Sequence, residues 1–335
     1  MKRYVLKIIA SIFDPLGVLS PVTIGFKLLL QEIFQAKYGW DEEINKDLQL
    51  KWRKLLETAS RIGQIFLPRY YLGGRALSSL KSIAVHGFSD ASGKAYAAVV
   101  YLRLIFEDNS MSSVFVASKS RVGPIKTLTI PRLELMSCLI LSRLVKVTLE
   151  SFVDLEINRV VCWSDSIDCL YWIGVQSKIR DRFVQNRITE IRSNLPGAIW
   201  KHCPGALNPA DIPSRGISIA NPEKRIIWIE GPEFLRHDEQ SWPVTTLHDV
   251  SMDNHNSEIF SESISVNANI NEAEVDQNIN VNLNAVIDMH TYNSFRKLIT
   301  VTAYVKRFVE NLKQGRRNWG GRGGHGPPTF AQKYR

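Results

Sequence analysis

Apolar positions recur at helical spacing through residues 1–66, and further along the chain the period shortens to that of strands. Tyr4 to Ile12 is a short amphipathic piece, Phe13-Asp-Pro-Leu-Gly17 reads as a turn, and Thr23 to Tyr38 is helical. Asp41 to Ile62 repeats the pattern around Trp40, Trp52 and Leu55-Leu56, so the region predicts a helical cap packed on the next domain. No carboxylate pair and no Gly-rich phosphate loop lies in it. Leu67 to Ser82, with Gly73-Gly74 and Ser78-Ser79, reads as a linker. Three β-rich stretches come next, at 83–89, 95–104 and 112–118. Pro131, a residue favoured at the first helical position, opens a helix to about Glu150. A buried strand is expected at 159–164, helices at 166–176 and 181–194, a strand at 198–203 and a short helix at 208–214. That order predicts an α/β fold, a mixed five-stranded sheet with flanking helices.

Composition alters the picture mainly at the C-terminal end. From Ser251 to Met289 there are nine Asn, seven acids and no Lys or Arg, and the aliphatic residues keep no sustained period, which predicts a disordered acidic linker. Thr291 to Gln314 regains a helical pattern, and Gly315 to Arg335 is a Gly/Arg-rich tail. The net charge of +9 agrees with a nucleic-acid partner without requiring one. Cys138, Cys162, Cys169 and Cys203 lie in apolar segments with no CxxC pair, which argues against a zinc ribbon or disulfide framework and for a reducing compartment. Lys7 and Asp14-Pro15 interrupt the first apolar run, and no window approaches the roughly 20 apolar residues of a membrane span. The expectation is a soluble, intracellular, cytoplasmic protein with no membrane partner.

The chemistry-bearing residues are acids at the ends of apolar elements. Asp90 ends an apolar strand before a Ser-Gly-Lys turn, Asp165 ends Arg159-Val-Val-Cys-Trp-Ser-Asp, Glu134 lies in Pro131-Arg-Leu-Glu-Leu-Met136, and Asp211 lies in Asn208-Pro-Ala-Asp. A carboxylate placed where a buried strand meets a turn needs hydrogen bonds or a cation. These four, spaced by 44, 31 and 46 residues, meet only if the fold brings two strand ends and two helices together, as a mixed sheet does. An all-oxygen set selects Mg²⁺ or Mn²⁺ over zinc. Two such ions about 4 Å apart activate water and stabilise the leaving oxygen in phosphodiester hydrolysis.

Phe88-Ser-Asp-Ala-Ser92, Arg132-Leu-Glu-Leu135, Trp163-Ser-Asp-Ser166 and Asn208-Pro-Ala-Asp-Ile-Pro-Ser-Arg215 occur in the order that resembles the ribonuclease H domain of BEL/Pao-type LTR retrotransposon polyproteins. Phe13-Asp-Pro-Leu-Gly-Val-Leu-Ser-Pro21 and Gly39-Trp-Asp-Glu42 resemble the segment that joins reverse transcriptase to ribonuclease H there. Phe295 to Phe308 is similar to the helix before the integrase zinc module. The resemblance covers about residues 1–235 and implies a ribonuclease H-like fold with Asp90, Glu134, Asp165 and Asp211 as its metal-binding acids. It divides the chain into a connection region (1–66), linker (67–82), ribonuclease H-like domain (83–235), acidic linker (236–290), pre-integrase helix (291–314) and tail (315–335). Its implied partners are an RNA–DNA hybrid and the reverse transcriptase and integrase parts of the same polyprotein, with a virus-like particle as the setting of an active element.

Each residue also has a plainer use. Asp90 and Asp165 serve as turn caps in many proteins, Glu134 favours the helix dipole one turn in, and Asp211 can cap its helix. His202, before the Pro204-Gly205 turn, is a candidate proton shuttle or a structural strand-end histidine. Ser89, Ser92, Ser164, Ser166 and Asn208 are expected to shape the site or touch the substrate backbone, and Arg132 and Arg215 to contact phosphate. Trp163, Trp172 and Trp200 read as core. No Asp-Asp dipeptide exists, so polymerase chemistry is not expected, and Asp90-Ala-Ser-Gly93 is not the Asp-Thr/Ser-Gly loop of an aspartic peptidase. No His/Cys set with zinc spacing follows Phe308. The alternative to a ribonuclease H is a non-catalytic nucleic-acid-binding remnant.

Overall fold

The computed structural model describes residues 1–60, 67, 70–126, 128–175, 177, 179–216 and 221–243. Residues 244–290 of the linker expected at 236–290, the helix at 291–314 and the Gly/Arg tail lie outside the described residues. Three helices come first: α1 (Lys2–Ser11), α2 (Ser20–Gln35) and α3 (Lys46–Ser60). Three long antiparallel strands succeed them: β1 (Leu80–Ala91), β2 (Ala95–Phe106) and β3 (Met111–Val122). Then come α4 (Ile130–Ser151), β4 (Arg159–Ser164), α5 (Ile167–Gly174), α6 (Arg182–Asn194), β5 (Ile199–His202), α7 (Asp211–Arg215) and α8 (Pro222–Glu230). The sheet runs β3-β2-β1-β4-β5, antiparallel among the first three strands and parallel from β1 through β4 to β5. This is the expected mixed five-stranded sheet with flanking helices.

β1 and β2 are buried along almost their whole length, so they read as continuous apolar runs rather than as alternation. Leu133, Ile140, Leu141 and Val145 of α4 cover one face of the sheet. Gly87 is what lets α4 approach, because a Cβ there would sit 2.5 Å from Leu141 Cδ1 and 3.1 Å from Val145 Cγ2. The other face, carrying Phe88, Val99, Phe115 and Trp163, is covered by Val22 and Phe26 of α2, Ile212 of α7 and Trp228 of α8. The helical region and the sheet therefore share one apolar core. The turn before α2 is clamped to the sheet edge: Ser118 N–H donates to the Leu16 carbonyl (2.8 Å), and Ser118 Oγ donates to the Gly17 carbonyl (2.5 Å). Gly17 has φ +74°, and an added Cβ would collide with Ser118 backbone, so the clamp requires glycine.

Two boundaries differ from the sequence expectation. The strand expected from residue 83 begins at Leu80, after a single 3₁₀ turn at Leu77–Ser79 within the expected linker. The domain does not end at 235, because residues 236–243 continue as an ordered strap in which Trp242 is buried against Trp163 and His86. One buried tryptophan in a polar run leaves no periodic signal, which is why composition placed that stretch in the linker. Trp163 is wholly buried as expected, and Trp172 and Trp200 are partly buried against the α4–α6 layer. All four cysteines are free and buried. Among the described residues no helix is long and apolar enough to cross a membrane.

Candidate active site

Four elements bring their acids to one end of the sheet. β1 and β4 lie side by side, with Ser89 opposite Ser164, so Asp90 and Asp165 leave adjacent parallel strands at the same level. α4 packs across β1 and supplies Glu134 from its first turns, and α7 starts at Asp211 beside β1 and β2. The charges of Asp90 and Asp165 bear on each other, and the fields of Glu134 and Asp211 reach Asp165 while that of Asp211 also reaches Asp90. The four sequence-predicted acids thus lie close enough at this end of the sheet for their charges to reach one another.

Asp90 is buried and Asp165 and Glu134 are half-buried, and among the described residues none of the three has an ion-pair partner, whereas Asp211 is paired with Arg215. Burial, reinforced by Asp165 and Asp211 and opposed by the Ser214 hydroxyl, raises Asp90 to about 7. Burial likewise raises Asp165, helped by the nearby Glu134 and Asp211 charges. Glu134 is raised by burial and by Asp168 and Asp90, although Ser166 Oγ donates to its Oε2 at 2.6 Å. Asp165 Oδ1 is buried and has no hydrogen-bond partner. Buried acceptors of this kind ordinarily find a donor or a cation.

The predicted substrate-contacting residues have intramolecular partners. Ser89 is buried, its Oγ 3.3 Å from the Trp163 carbonyl and 3.4 Å from Cys138 Sγ, and its carbonyl accepts from Asn208 Nδ2 at 2.9 Å. Asn208 Oδ1 also accepts from Ala210 N–H, so the side chain ties the α7 approach to β1. Ser92 organises the β1–β2 turn, accepting from Ala95 N–H (3.1 Å) and donating to the Ser214 carbonyl (2.8 Å). Ser164 Oγ accepts from Ser166 N–H, and Ser166 caps α5 by accepting from Cys169 N–H at 3.3 Å. Arg132 pairs with Asp181 at 2.7 Å and lies over the Phe183 ring. Arg215 pairs with Asp211 one helical turn away, which raises the already high Arg215 value. All seven are thus engaged within the protein. His202, half-buried, engages the Asp165 backbone, and burial lowers its value. It stands next to the cluster on β5, which pairs with β4.

Ser214 is the site residue that sequence reasoning passed over. It donates to Asp90 Oδ2 and to the Asp211 carbonyl, linking two of the four acids. Its signal was its place three residues after Asp211 in a short helix, the spacing that puts two side chains on one face. Gly205 is a second such position, since a Cβ there would reach 3.4 Å from Asp165 Oδ2.

The donor chemistry fits hard divalent cations: an all-carboxylate set, one orphaned buried oxygen, and proton affinities of Asp90, Glu134 and Asp165 raised by burial and, to a lesser degree, by neighbouring acids. Among the described residues, no three His, Cys, Asp or Glu are already drawn together as an ion-holding group. The Asp211–Arg215 pair and the Ser166–Glu134 bond occupy oxygens that a cation would take.

Comparison with known proteins adds the class. Residues 1–166 match the family model described as the Pao retrotransposon-like RNaseH-like domain, a span that includes Asp90, Glu134 and Asp165. Similar solved structures include RNase H1 from the halophilic archaeon Halobacterium salinarum, 18% identical over 39% of this chain and 91% of that one (TM-score 0.25). Another is the N-terminal RNase H domain of a Mycobacterium tuberculosis protein, 15% identical over 43% of this chain and 98% of that one (TM-score 0.28). A third is the foamy viral protease-reverse transcriptase in complex with dsDNA, 12% identical over 59% of this chain and 37% of that one (TM-score 0.22). No curated protein matches. The described body is an α/β domain with a mixed five-stranded sheet, preceded by a helical segment, and residues 1–166 are similar to the Pao retrotransposon-like RNaseH-like domain family.

Proposed function

We propose that this protein is a retrotransposon-derived ribonuclease H that hydrolyses the RNA strand of an RNA–DNA hybrid with Mg²⁺ or Mn²⁺. A nuclease-type function has the support of the fold and the family match. The finer assignment is supported by Asp90, Glu134, Asp165 and Asp211, carried by β1, α4, the end of β4 and α7, whose charges reach one another. Those four would hold the ions, which when bound supply a hydroxide nucleophile and stabilise the leaving oxygen. The chain's own contribution is placement. β1 and β4 fix the Asp90–Asp165 pair, Ser166 orients Glu134, and Ser214 links Asp90 to α7. His202, on β5 opposite Ser164 and hydrogen-bonded to the Asp165 backbone, is the proton shuttle in this reading. A duplex is recognised by backbone shape and the 2′-hydroxyl, so cleavage requires RNA paired to DNA and shows little base preference.

Glu134→Gln tests this reading. The substitution keeps size and packing and deletes one charge from a repelling cluster, so stability holds or rises in the absence of metal. Mg²⁺-dependent cleavage of a labelled hybrid falls by several orders of magnitude, while hybrid binding in EDTA stays near its original strength. Equal cleavage rates in the two proteins sink the enzyme reading. One observation favours the second reading, a nucleic-acid-binding remnant without catalysis: Arg215 already neutralises Asp211. Binding of hybrid without any excess cleavage over Glu134→Gln is the outcome that selects it.

A further inference from the structure

The register across the sheet places a basic group beside the acids, at the β3 edge. Asp90 lies opposite Ala97, and Ala97 opposite Ser120; the rows on either side run Ser89, Ala98, Lys119 and Ala91, Tyr96, Arg121. Lys119 and Arg121 therefore flank the Asp90 row two strands away, about 10 Å at the usual strand spacing. Their side chains leave the β3 edge on the α4 face, opposite to that of Asp90. Both are exposed. α2, packed on this edge, brings Lys27 Nζ to 3.5 Å from the Ser120 carbonyl, and the β1–β2 turn brings exposed Lys94, whose carbonyl accepts from Gly123 N–H at 2.6 Å. Asp14 is the acid whose field reaches Lys27, and its carboxylate already accepts from Leu19 N–H. Burial lowers the Lys27 value, and the like charges of Lys119 and Arg121 lower it further. Cations crowded this closely call for an anion.

We infer that Lys27, Lys94, Lys119 and Arg121 form a phosphate track that holds the backbone of a nucleic-acid duplex alongside the carboxylate cluster. The distance suits it. About 10 Å from Asp90 corresponds to roughly three nucleotide steps at 3.4 Å of rise per strand, so the track meets phosphates next to, not at, the cleaved one. Part of it comes from α2, which makes the helical segment a substrate-binding element as well as a cap. The duplex as occupant rests on the function proposed above; the acids and the track are testable apart.

The test compares the full chain with Lys27→Gln/Lys119→Gln/Arg121→Gln in hybrid binding, in EDTA, across a salt series. Each phosphate contact contributes about 0.9 to the slope of log affinity against log salt. The triple variant is expected to lose about 2 to 3 from that slope and about tenfold or more in affinity at 0.1 M salt. A control with equal loss of charge elsewhere, Arg53→Gln/Lys54→Gln/Lys146→Gln, keeps most of the slope. Should the triple variant fold poorly, Lys119→Gln/Arg121→Gln alters two exposed side chains only and loses about 2. An unchanged slope, an equal loss in the control, or no hybrid binding by the unmutated chain overturns the track. Cleavage with an unchanged slope leaves the nuclease reading and removes the track; binding with the expected slope loss but no cleavage does the reverse.

Discussion

Ser166 has two duties that no other described side chain combines. Its oxygen accepts from Cys169 N–H at the start of α5, and its hydroxyl donates to Glu134 Oε2. Loss of an N-cap serine ordinarily costs about 1 kcal/mol. Ser166→Ala is expected to cost that much in urea denaturation and to slow hybrid cleavage with little change in hybrid binding, because Glu134 loses its orienting partner. Asp90 offers a complementary measurement. Millimolar Mg²⁺ or Mn²⁺ relieves the repulsion around it and raises the melting temperature, as any ligand of the folded state does. In Asp90→Asn most of that rise disappears; an unchanged melting curve in the unmutated protein removes the cation from the account. The four acids were legible in sequence because each ends or enters an apolar element. The partners of the surrounding polar residues were not: Arg132 meets Asp181 and Asn208 meets Ser89 only through the fold, 49 and 119 residues apart.

At the scale of elements, legibility tracked periodicity. β1, β2, α4, β4 and α6 bury long apolar stretches, and their observed spans agree with the expected ones to within a few residues. The 222–242 stretch instead holds on by separate anchors, Trp228, Phe234 and Trp242, set among charged residues. No 3.6- or 2-residue period survives such spacing. Those anchors make a prediction: a chain ending at 235 loses Trp242 from its seat against Trp163 and His86, and it melts well below a chain ending at 243. The α4–β1 contact makes another. Gly87→Val puts methyl groups where Leu141 and Val145 already lie and is expected to destabilise by about 1–3 kcal/mol, read by urea denaturation.

Across the whole molecule, two buried titrating centres pull stability in opposite directions with pH. His86 is sealed between Trp163 and Trp242, takes a 3.1 Å hydrogen bond from Trp163 Nε1, and faces Arg103, Arg159 and Lys201. Burial, with those three cations, lowers it from 6.5 to about 3. The folded state thus refuses a proton that the unfolded chain accepts, so this contribution is complete above 6.5 and is lost as pH falls toward 3, at up to about 1.4 kcal/mol per pH unit. Asp90, raised from 3.8 to about 7, behaves oppositely: its contribution is complete below 3.8 and is lost as pH rises through 7. Between pH 4.5 and 6.5 the two slopes largely cancel in the metal-free protein. His86→Gln keeps an acceptor for Trp163 but cannot titrate, so its denaturation free energy in EDTA falls as pH rises through that window. The Asp90→Asn variant shifts the slope the other way, and the double variant keeps only the smaller decline that the raised Asp165 and Glu134 supply. A His86→Gln curve that stays parallel to the unmutated one places the histidine's proton outside the folding equilibrium and leaves the acid limb to surface carboxylates.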